Sequence, residues 1–298
     1  MRISRDKNSS FVEFEGMKKM NIVIVGLGVI GGSFAYGLKD AGYEDVYGID
    51  IDENSIKKAK ELGIIKNGDT TGEKLLQNAD LVIISLYPNL VKTFVKDNIK
   101  NFKKGCVITD ATGIKENIVS KITSFLPEDI DFIFSHPMAG REKKGLEYAT
   151  NKVFSGANFL ITPIKSNKEE NIKLIEKIAK DIGFKNIKRI SISLHDEMIS
   201  FTSQLPHAIA VALINSDNHN EDTSEFIGDS YRDLTRIANI NEELWSQLFL
   251  QNKKNLLTSM ENFEKQFNLI KQAIETDNAD KLKEYFKCSS KRRELLDK

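Results

Sequence analysis

The residues best suited to chemistry begin with a glycine-rich turn near the start of the chain. Gly26, Gly28 and Gly31 form the pattern G-x-G-x-x-G, which follows a short β-branched run and opens a helical pattern. In this pattern the first glycine permits a tight turn, the second lets the backbone approach a pyrophosphate, and the third lets helix and strand pack closely. The N–H groups at the helix N-terminus attract the phosphates. The pattern therefore predicts a dinucleotide site that includes Val29 and Ile30.

An acidic residue at the end of the second predicted strand indicates which dinucleotide binds. Asp50 follows Gly31 by about 20 residues, where a carboxylate binds the 2′-hydroxyl of the adenosine ribose. A carboxylate at this position repels a 2′-phosphate, and the following Ile51 and Asp52 offer no arginine to receive one. The sequence therefore favours NAD over NADP. The alternative is a glycine turn in an unrelated strand–helix unit.

Other polar side chains could meet a ligand beside that cofactor. Ser85 and Leu86 end a predicted strand on the same edge, where they either flank the cofactor or form a plain strand-to-helix connection. His136 closes a further strand and precedes a loop of small residues, so we expect its imidazole beside the nicotinamide, where it can act as a base. His207 follows a proline that should kink its helix. Arg236 carries a planar guanidinium suited to a carboxylate, although either of these two side chains could also be structural.

These residues need a scaffold that brings them together, and the alternation of short apolar runs with helical patterns predicts one. Continuous apolar strands joined by helices are typical of a parallel sheet covered on both faces. Right-handed crossovers make such a sheet doubly wound, with a ligand crevice at the carboxyl ends of its strands. The predicted strands are residues 21–25, 45–49, 80–85, 106–110, 131–135, 158–162 and 188–192.

The chain divides into three predicted parts. Residues 1–16 are polar and lack the apolar centre of a signal peptide, so we expect an extension outside the fold. Residues 17–166 form a Rossmann-type nucleotide domain, to which residues 188–192 add an edge strand. Residues 193–298 form an all-helical substrate and dimerisation domain, which begins with Ser193 as a helix N-cap.

A long apolar stripe lies in the second half of this helical part. It consists of Leu244, Leu248, Leu256, Met260, Phe263, Phe267, Ile270 and Ile274, with Asn252 as its one polar member. The stripe is longer than a small domain needs to cover one helix. It is either the core of the domain or a helix-on-helix interface that makes a homodimer.

The composition is that of an ordinary globular protein. Lys and Arg number 43, as do Asp and Glu, whereas a nucleic-acid-binding module would carry a basic excess. No apolar run approaches the ~18 residues of a membrane span. The 2 cysteines are too few for a disulfide framework or a Cys-based zinc site, and we predict no metal. We therefore expect a cytoplasmic protein that binds neither nucleic acid nor membrane.

From about Met20 to the C-terminus the chain resembles the prephenate dehydrogenase family of tyrosine biosynthesis. The resemblance is carried, in this order, by GLGVIGGS, TDATGIK, SHPMAGRE, LHDEMISFTSQLPHAIA and YRDLTRIA. It implies a Rossmann domain, a helical dimerisation domain and the NAD-dependent oxidative decarboxylation of prephenate to 4-hydroxyphenylpyruvate. One alternative is an arogenate or dual-specificity cyclohexadienyl dehydrogenase. Others are a different two-domain NAD enzyme and, more remotely, a non-enzymatic NAD-binding regulator.

The resemblance also implies roles for single residues. His136 matches the catalytic histidine that hydrogen-bonds the ring hydroxyl of the substrate, and the rate should then rise with pH through a group near ~6.5, the ordinary histidine value. His207 and Arg236 match substrate-binding residues, with Arg236 taking a carboxylate. Glu142 matches a gating or polar-network residue, and Asp233 matches a neighbour that could orient the arginine.

Two positions depart from the family pattern. Thr112 and Gly113 stand where the family often has Gly-Ser, so the hydroxyl of Thr112 would have to contact the substrate from one residue earlier. Gln204 stands where many members have histidine, which leaves open how the substrate side chain is bound. His195 and His219 receive no role.

Overall fold

The computed structural model describes residues 19–140, 143–218 and 220–296. The predictions for residues 1–16 and for Glu142 lie outside these residues. Within the described ranges, no helix is long and apolar enough to cross a membrane.

A parallel sheet of six strands forms the centre of the N-terminal part. Its strands are β1 Ile22–Val25, β2 Val46–Ile49, β3 Asn67–Asp69, β4 Leu81–Ile84, β5 Val107–Asp110 and β6 Asp131–Ile133. They lie in the order β3-β2-β1-β4-β5-β6, and every pair is parallel. The chain winds outward in both directions from β1 and β4, which confirms the doubly wound arrangement. In such sheets ligands bind beyond the carboxyl ends of the strands at this switch point.

Helices cover the sheet, which has an apolar core on each face. The helices of this part are α1 Val29–Asp40, α2 Glu53–Glu61, α3 Glu73–Leu76, α4 Pro88–Asp97, α5 Glu116–Thr123 and α6 Glu169–Asp181. Ile22 and Ile24 of β1 belong to one core, and Val23 and Val25 belong to the other. Successive side chains of a strand point to opposite faces, so a strand buried on both faces is apolar at every position.

A second sheet of three strands follows the first. Its strands are β7 Ser135–Met138, β8 Asn158–Ile161 and β9 Asn186–Arg189, in that order, with β7 antiparallel to β8 and β8 parallel to β9. The predicted strand 131–135 is thus split between two sheets, and the prediction that 158–162 extends the parallel sheet is wrong. An apolar run identifies a strand but not its partner, because pairing depends on distant parts of the chain. The Asn-Gly-Asp sequence of β3 has no apolar run from which to predict a strand.

The remainder of the described chain is largely helical. It contains α7 Ile192–Ile199, the π-helical turn Ser200–Gln204, α8 Leu205–Asn215, α9 Asp229–Thr235, α10 Glu242–Gln251, α11 Lys253–Glu275 and α12 Ala279–Leu296. The N-cap of α7 is Ser191, whose Oγ accepts a hydrogen bond from the Leu194 N–H at 3.2 Å. The prediction of Ser193 as the N-cap is therefore wrong. The last strand also ends earlier than predicted, at Arg189.

Pro206 lies in the first turn of α8, directly after the π-helical turn. Proline has no N–H to donate to the preceding turn, so a regular α-helix cannot continue through it with every bond made. Wider turns of this kind are frequent at functional sites. The irregularity predicted from the sequence therefore takes the form of the π-helical turn.

The apolar stripe is shared by α10 and α11, which the buried Asn252 separates. Leu248 and Leu256 are buried. Phe267 and Ile274 are 58% and 60% exposed in the single chain. The first part of the stripe is thus core, whereas the second part is largely exposed among the residues that the structure describes.

Candidate active site

A cavity of about 560 Å³ lies between the carboxyl edge of the six-stranded sheet and the helical part. Most of the predicted site residues line it: Gly28, Val29, Ile30, Ser85, Leu86, Thr112, His136, Gln204, His207 and Arg236. The sheet and the helical part therefore both contribute side chains to one cavity.

The glycine turn has the geometry that the motif predicts. Gly26 has φ +85°, and a Cβ there would lie 2.6 Å from the Ser85 carbonyl oxygen. A Cβ on Gly31 would lie 1.8 Å from the Gly26 carbonyl oxygen, so the close approach of α1 to the turn requires glycine. A Cβ on Gly28 would meet no described atom within 4 Å and would occupy open cavity space. These are the three roles expected where a backbone approaches a pyrophosphate.

Two further groups fit a dinucleotide. Asp50 accepts a hydrogen bond from the Leu27 N–H at 2.6 Å and one from the Asp52 N–H at 2.9 Å, which ties its carboxylate to the glycine turn. Each carboxylate oxygen keeps a further lone pair that can accept a ribose hydroxyl. The Ser85 Oγ is buried at the cavity and has no hydrogen-bond partner among the described residues. A buried hydroxyl without a partner is costly, and a ligand that bonds to it would remove that cost.

A buried ion pair lies at the end of β5. The Lys115 Nζ lies 2.7 Å from the Asp110 Oδ2, and neither side chain is exposed. Burial lowers the pKa of Lys115, and the charge of Asp110 opposes this effect. The Thr112 hydroxyl donates to Asp110 and accepts from Lys115 at 2.9 Å. Thr112 thus lines the cavity, but its hydroxyl is used by the ion pair rather than held ready for a substrate.

A chain of three side chains links β7 to α7. The Nδ1 of the partly buried His136 lies 2.9 Å from the Nε2 of His195, which is buried. The Nδ1 of His195 lies 2.7 Å from the Asp196 Oδ1. Sequence reasoning gave His195 no role, because the contact joins residues 59 positions apart. The one signal was its place in LHDE, within a segment that carries the family resemblance.

The surroundings of both histidines favour their neutral forms. Burial is the main cause that sets the pKa of His136 well below its ordinary value, and His195 and Lys115 add to the effect. Burial also lowers the pKa of His195, although Asp196 opposes it. The expected titration near ~6.5 is therefore wrong for His136, because that value belongs to a solvated imidazole.

The helical side of the cavity holds the predicted binding residues. The Nδ1 of His207 donates to the Ser203 carbonyl oxygen at 2.9 Å. Its ring stacks on Trp245, with centroids 3.6 Å apart and an angle of 28° between the planes. Arg236 begins a short 3₁₀ turn and is exposed at the cavity. Trp245 is a lining residue that sequence reasoning missed, since nothing in the linear pattern pairs it with His207.

Two residues that were predicted to bind substrate, Asp233 and Gln204, are less well placed for direct contact with it. Asp233 is exposed on α9 and is not among the described residues that line the cavity. Gln204 does line it, but its Nε2 donates to the Leu248 carbonyl oxygen at 3.0 Å and its Oε1 accepts from Asn252 at 2.9 Å. The amide of Gln204 therefore joins the π-helical turn to the break between α10 and α11.

Comparison with known proteins adds to this geometry. The family model described as "Prephenate dehydrogenase, nucleotide-binding domain" matches residues 34–188. The model described as "Prephenate dehydrogenase, dimerization domain" matches residues 191–288. The chain belongs to the prephenate dehydrogenase family. The first match ends at residue 188 within β9, and the second begins at residue 191 just before α7, where the sheet part gives way to the helical part.

Three relatives illustrate the similarity. The chain is 32% identical to a prephenate dehydrogenase of Lactococcus lactis subsp. cremoris, over 94% of this chain and 78% of that protein. It is 29% identical to a cyclohexadienyl dehydrogenase of Zymomonas mobilis subsp. mobilis, over 93% and 96%. A crystal structure of prephenate dehydrogenase from A. aeolicus, in complex with hydroxyphenyl propionate and NAD+, is 32% identical with a TM-score of 0.85 and covers 93% of this chain and 98% of that one. The fold and the dehydrogenase class of the prephenate dehydrogenase family therefore apply to this chain.

Proposed function

We propose that the protein catalyses the NAD-dependent oxidative decarboxylation of prephenate to 4-hydroxyphenylpyruvate. One observation carries the proposal. A single cavity is lined by the glycine turn, by the imidazole of His136 and by the guanidinium of Arg236. A ring compound with carboxylates that lies between these groups would meet a cofactor, a base and an anchor at once.

NAD is the cofactor. A family model for a nucleotide-binding domain matches the chain, and the A. aeolicus relative was solved with NAD+. In this chain the glycine turn would hold the pyrophosphate and Asp50 the adenosine ribose, while Ser85 and Leu86 line the cavity beside them. When it is bound, the nicotinamide ring supplies the hydride acceptor.

His136 acts on the ring hydroxyl of the substrate. Loss of hydride from the ring carbon leaves positive charge there, which withdraws electrons from the attached hydroxyl. A neutral imidazole that accepts the hydroxyl proton, wholly or in part, stabilises that charge. As CO₂ leaves, the electrons of its bond complete the aromatic ring, and the proton returns to the phenol oxygen. Because burial lowers the pKa of His136, its imidazole is neutral at neutral pH and can accept this proton.

The helical side and the cavity entrance anchor the substrate. Arg236 binds one carboxylate, since its planar fork matches that group, and the ring of His207 contacts the substrate side chain. The exposed Lys143 and Lys144 also line the cavity and fit a substrate with two carboxylates. The gating role of Glu142 stays a proposal that lies outside the described residues.

Thr112, Gln204 and Asp233 influence the site through the residues that they support. The hydroxyl of Thr112 supports the ion pair of Lys115. Gln204 supports the π-helical turn through its amide. Asp233 stays a proposed neighbour of Arg236, and its exposure favours an influence on charge over a direct contact with substrate.

Arogenate, as sole or second substrate, is the alternative, because a relative of similar identity is a cyclohexadienyl dehydrogenase. The two substrates differ only in the keto or amino group of the side chain, which would lie near His207 and Gln204. The experiment measures NADH formation by the purified protein with prephenate and with arogenate, using NAD and NADP separately. We expect a higher kcat/KM with prephenate and NAD. NAD binding without NADH formation from either compound would refute the proposal and leave the regulator and an NAD enzyme with another substrate.

We also propose that two copies of the chain form a dimer through the helical part. The domain match names dimerization, and the exposed end of the apolar stripe needs cover. Phe267→Glu should halve the mass measured by light scattering, whereas Leu90→Glu, an equally drastic change at an exposed site on α4, should not. We also propose the division into a nucleotide domain (17–166, with the extra edge strand near 188–192) and a helical domain (193–298). The free thiols of Cys106 and Cys288 suit the reducing cytoplasm.

A further inference from the structure

His136 is the first member of a hydrogen-bonded chain that continues into α7. We propose that His195 and Asp196 are positioning residues that hold His136 in one tautomer, with its Nε2 lone pair facing the cavity, and that they share the positive charge it gains. This inference rests on the proposed role of His136 as the base.

The carboxylate end of the chain is fixed by the backbone. The Asp196 Oδ1 accepts the Lys115 N–H at 2.8 Å, and its Oδ2 accepts the Glu116 N–H at 2.8 Å. These N–H groups begin α5 and have no partner within their own helix. Two such donors and the positive end of the helix dipole stabilise the ionised carboxylate. Asp196 is therefore an acceptor at both oxygens and has no proton to donate.

The positions of the protons follow from this end of the chain. Because the Asp196 Oδ1 can only accept, the Nδ1 of His195 must carry the proton in their 2.7 Å contact. A neutral His195 then has a lone pair on Nε2, which lies 2.9 Å from the Nδ1 of His136. The Nδ1 of His136 must therefore donate. The remaining lone pair of His136 is on Nε2, beside Gly113, where an added Cβ would lie 3.6 Å away in the wall of the cavity.

The same chain offers a path for the charge. When the Nε2 of His136 takes the hydroxyl proton, its Nδ1–H bond to His195 strengthens, and that proton shifts toward the Nε2 of His195. The Nδ1–H of His195 in turn bonds more strongly to the Asp196 carboxylate, so each atom that gains a proton has one partner that loses one. Both shifts reverse when the phenol oxygen recovers its proton.

The charges around the two imidazoles favour this transfer. The charged groups that face them are Lys115, Asp110 and Asp196. Lys115 is paired with Asp110 at 2.7 Å. Among the described residues, Asp196 has no side-chain cation within hydrogen-bond distance, and its two oxygens accept from the N–H groups of Lys115 and Glu116 and from the His195 ring. The cluster therefore carries one net negative charge at rest and is neutral once the proton is taken up.

The first test measures the tautomer directly and needs no turnover. The chain has 4 histidines, so selective ¹⁵N-histidine labelling gives a spectrum that His136→Asn and His195→Asn can assign. Two-bond ¹H–¹⁵N correlations of the complex with NAD should show His136 with its proton on Nδ1 at pH 7.5. A proton on Nε2 would overturn the inference, even if the enzyme is fully active.

The second test separates the members of the chain by substitution. Asp196→Asn replaces a group that can only accept by one that can also donate, so both imidazoles can adopt the other tautomer. We expect kcat to fall at least ~10²-fold, as it does when the aspartate of a Ser-His-Asp triad is replaced by asparagine. His195→Asn keeps a donor to Asp196 but does not reach His136, and kcat should fall similarly. His195→Gln places an acceptor near the former Nε2, and it should retain more activity than His195→Asn.

Controls distinguish this inference from the proposed function and from misfolding. Glu197→Gln removes an exposed carboxylate one residue from Asp196 and should leave kcat unchanged. NAD affinity and the KM for substrate should change less than about twofold in all variants, because no member of the chain other than His136 contacts substrate. A kcat within about threefold of the parent for both Asp196→Asn and His195→Asn would refute the charge-sharing role. Failure of the parent to form NADH from prephenate or arogenate would instead refute the proposed function, while the spectrum would still decide the tautomer.

Discussion

The two sides of the cavity are built in different ways. On the sheet side, which we call the sheet wall (Ser85, Thr112 and His136), Thr112 bonds to the buried ion pair of Asp110 and Lys115. His136 bonds to the buried His195. On the helical side, which we call the helix wall (His207, Arg236 and Trp245), Arg236 is exposed, and the His207 ring stacks on Trp245 and donates to the Ser203 carbonyl oxygen.

This difference separates two tasks. A group that moves a proton needs a fixed tautomer, a fixed distance and a dry environment, and the sheet wall provides them through strands and buried hydrogen bonds. A group that anchors a charged ligand can stay solvated and adjust its rotamer when the ligand arrives. We therefore expect changes in the sheet wall to lower kcat and changes in the helix wall to raise KM.

The largest effect should follow from the base of the sheet wall. His136→Asn keeps a donor near the position of Nδ1 but removes the lone pair that takes the hydroxyl proton. We expect kcat to fall ~10²–10⁴-fold, the usual contribution of a positioned base. Steady-state kinetics measure it, and NAD titration by fluorescence should show unchanged affinity. A kcat within about threefold of the parent would contradict the assignment.

A smaller loss should follow from the glycine turn that supports the sheet wall. Gly31→Ala places a methyl group 1.8 Å from the Gly26 carbonyl oxygen, so α1 and the turn must move apart. Overpacking of this kind costs about 1–3 kcal/mol, which corresponds to NAD binding weakened by roughly 5- to 150-fold. Calorimetric titration with NAD measures the change.

The matched control for this variant is Gly228→Ala, because an added Cβ there meets no described atom within 4 Å. It should bind NAD with the affinity of the parent. Equal affinity of Gly31→Ala and Gly228→Ala would contradict the role of the glycine turn.

The helix wall should respond in KM. Arg236→Ala removes one charge-assisted contact from a solvated position, so we expect the KM for substrate to rise by about tenfold, near 1.4 kcal/mol. The kcat should change less than about threefold. Arg232→Ala, on the neighbouring helix and paired with Asp229 at 3.1 Å, is the matched control and should change neither constant. A loss confined to kcat would mean that Arg236 takes part in the chemical step, and it would contradict the proposed difference between the sheet wall and the helix wall.

The smallest effect should be that of pH near neutrality. Because burial sets the pKa of His136 well below its ordinary value, the base is already deprotonated at pH 6.5 and activity is lost only as pH falls further. We expect kcat/KM to vary less than about twofold between pH 6.5 and 7.5, with the acid limb below ~6.5. The pH profile at fixed ionic strength measures this, and NAD affinity across the same range is the control. An acid limb at or above ~6.5 would mean that His136 is solvated.

The sequence is sufficient to predict the structure of the glycine turn, but it does not predict the strand pairing and the hydrogen bonds around His136. Gly26 and Gly31 are dictated by local steric limits, so their spacing predicts their structure. The predicted strand 131–135 ends one residue before His136, and the separate strand β7 that carries His136 was not predicted, because its partner β8 lies about 20 residues further along the chain. The role of His195 depends on a contact between two parts of the chain that no local pattern records.

The π-helical turn before His207 has a geometric consequence for the helix wall. One residue more than a regular helix requires rotates everything after it by about 100° around the helix axis. That rotation decides which face of α8 carries the histidine toward the cavity. Deletion of a single residue from 200–204 would therefore rotate α8 and separate His207 from Trp245, although both helices would keep their composition. An insertion or deletion here changes the direction in which His207 points more than it changes the length of the helix.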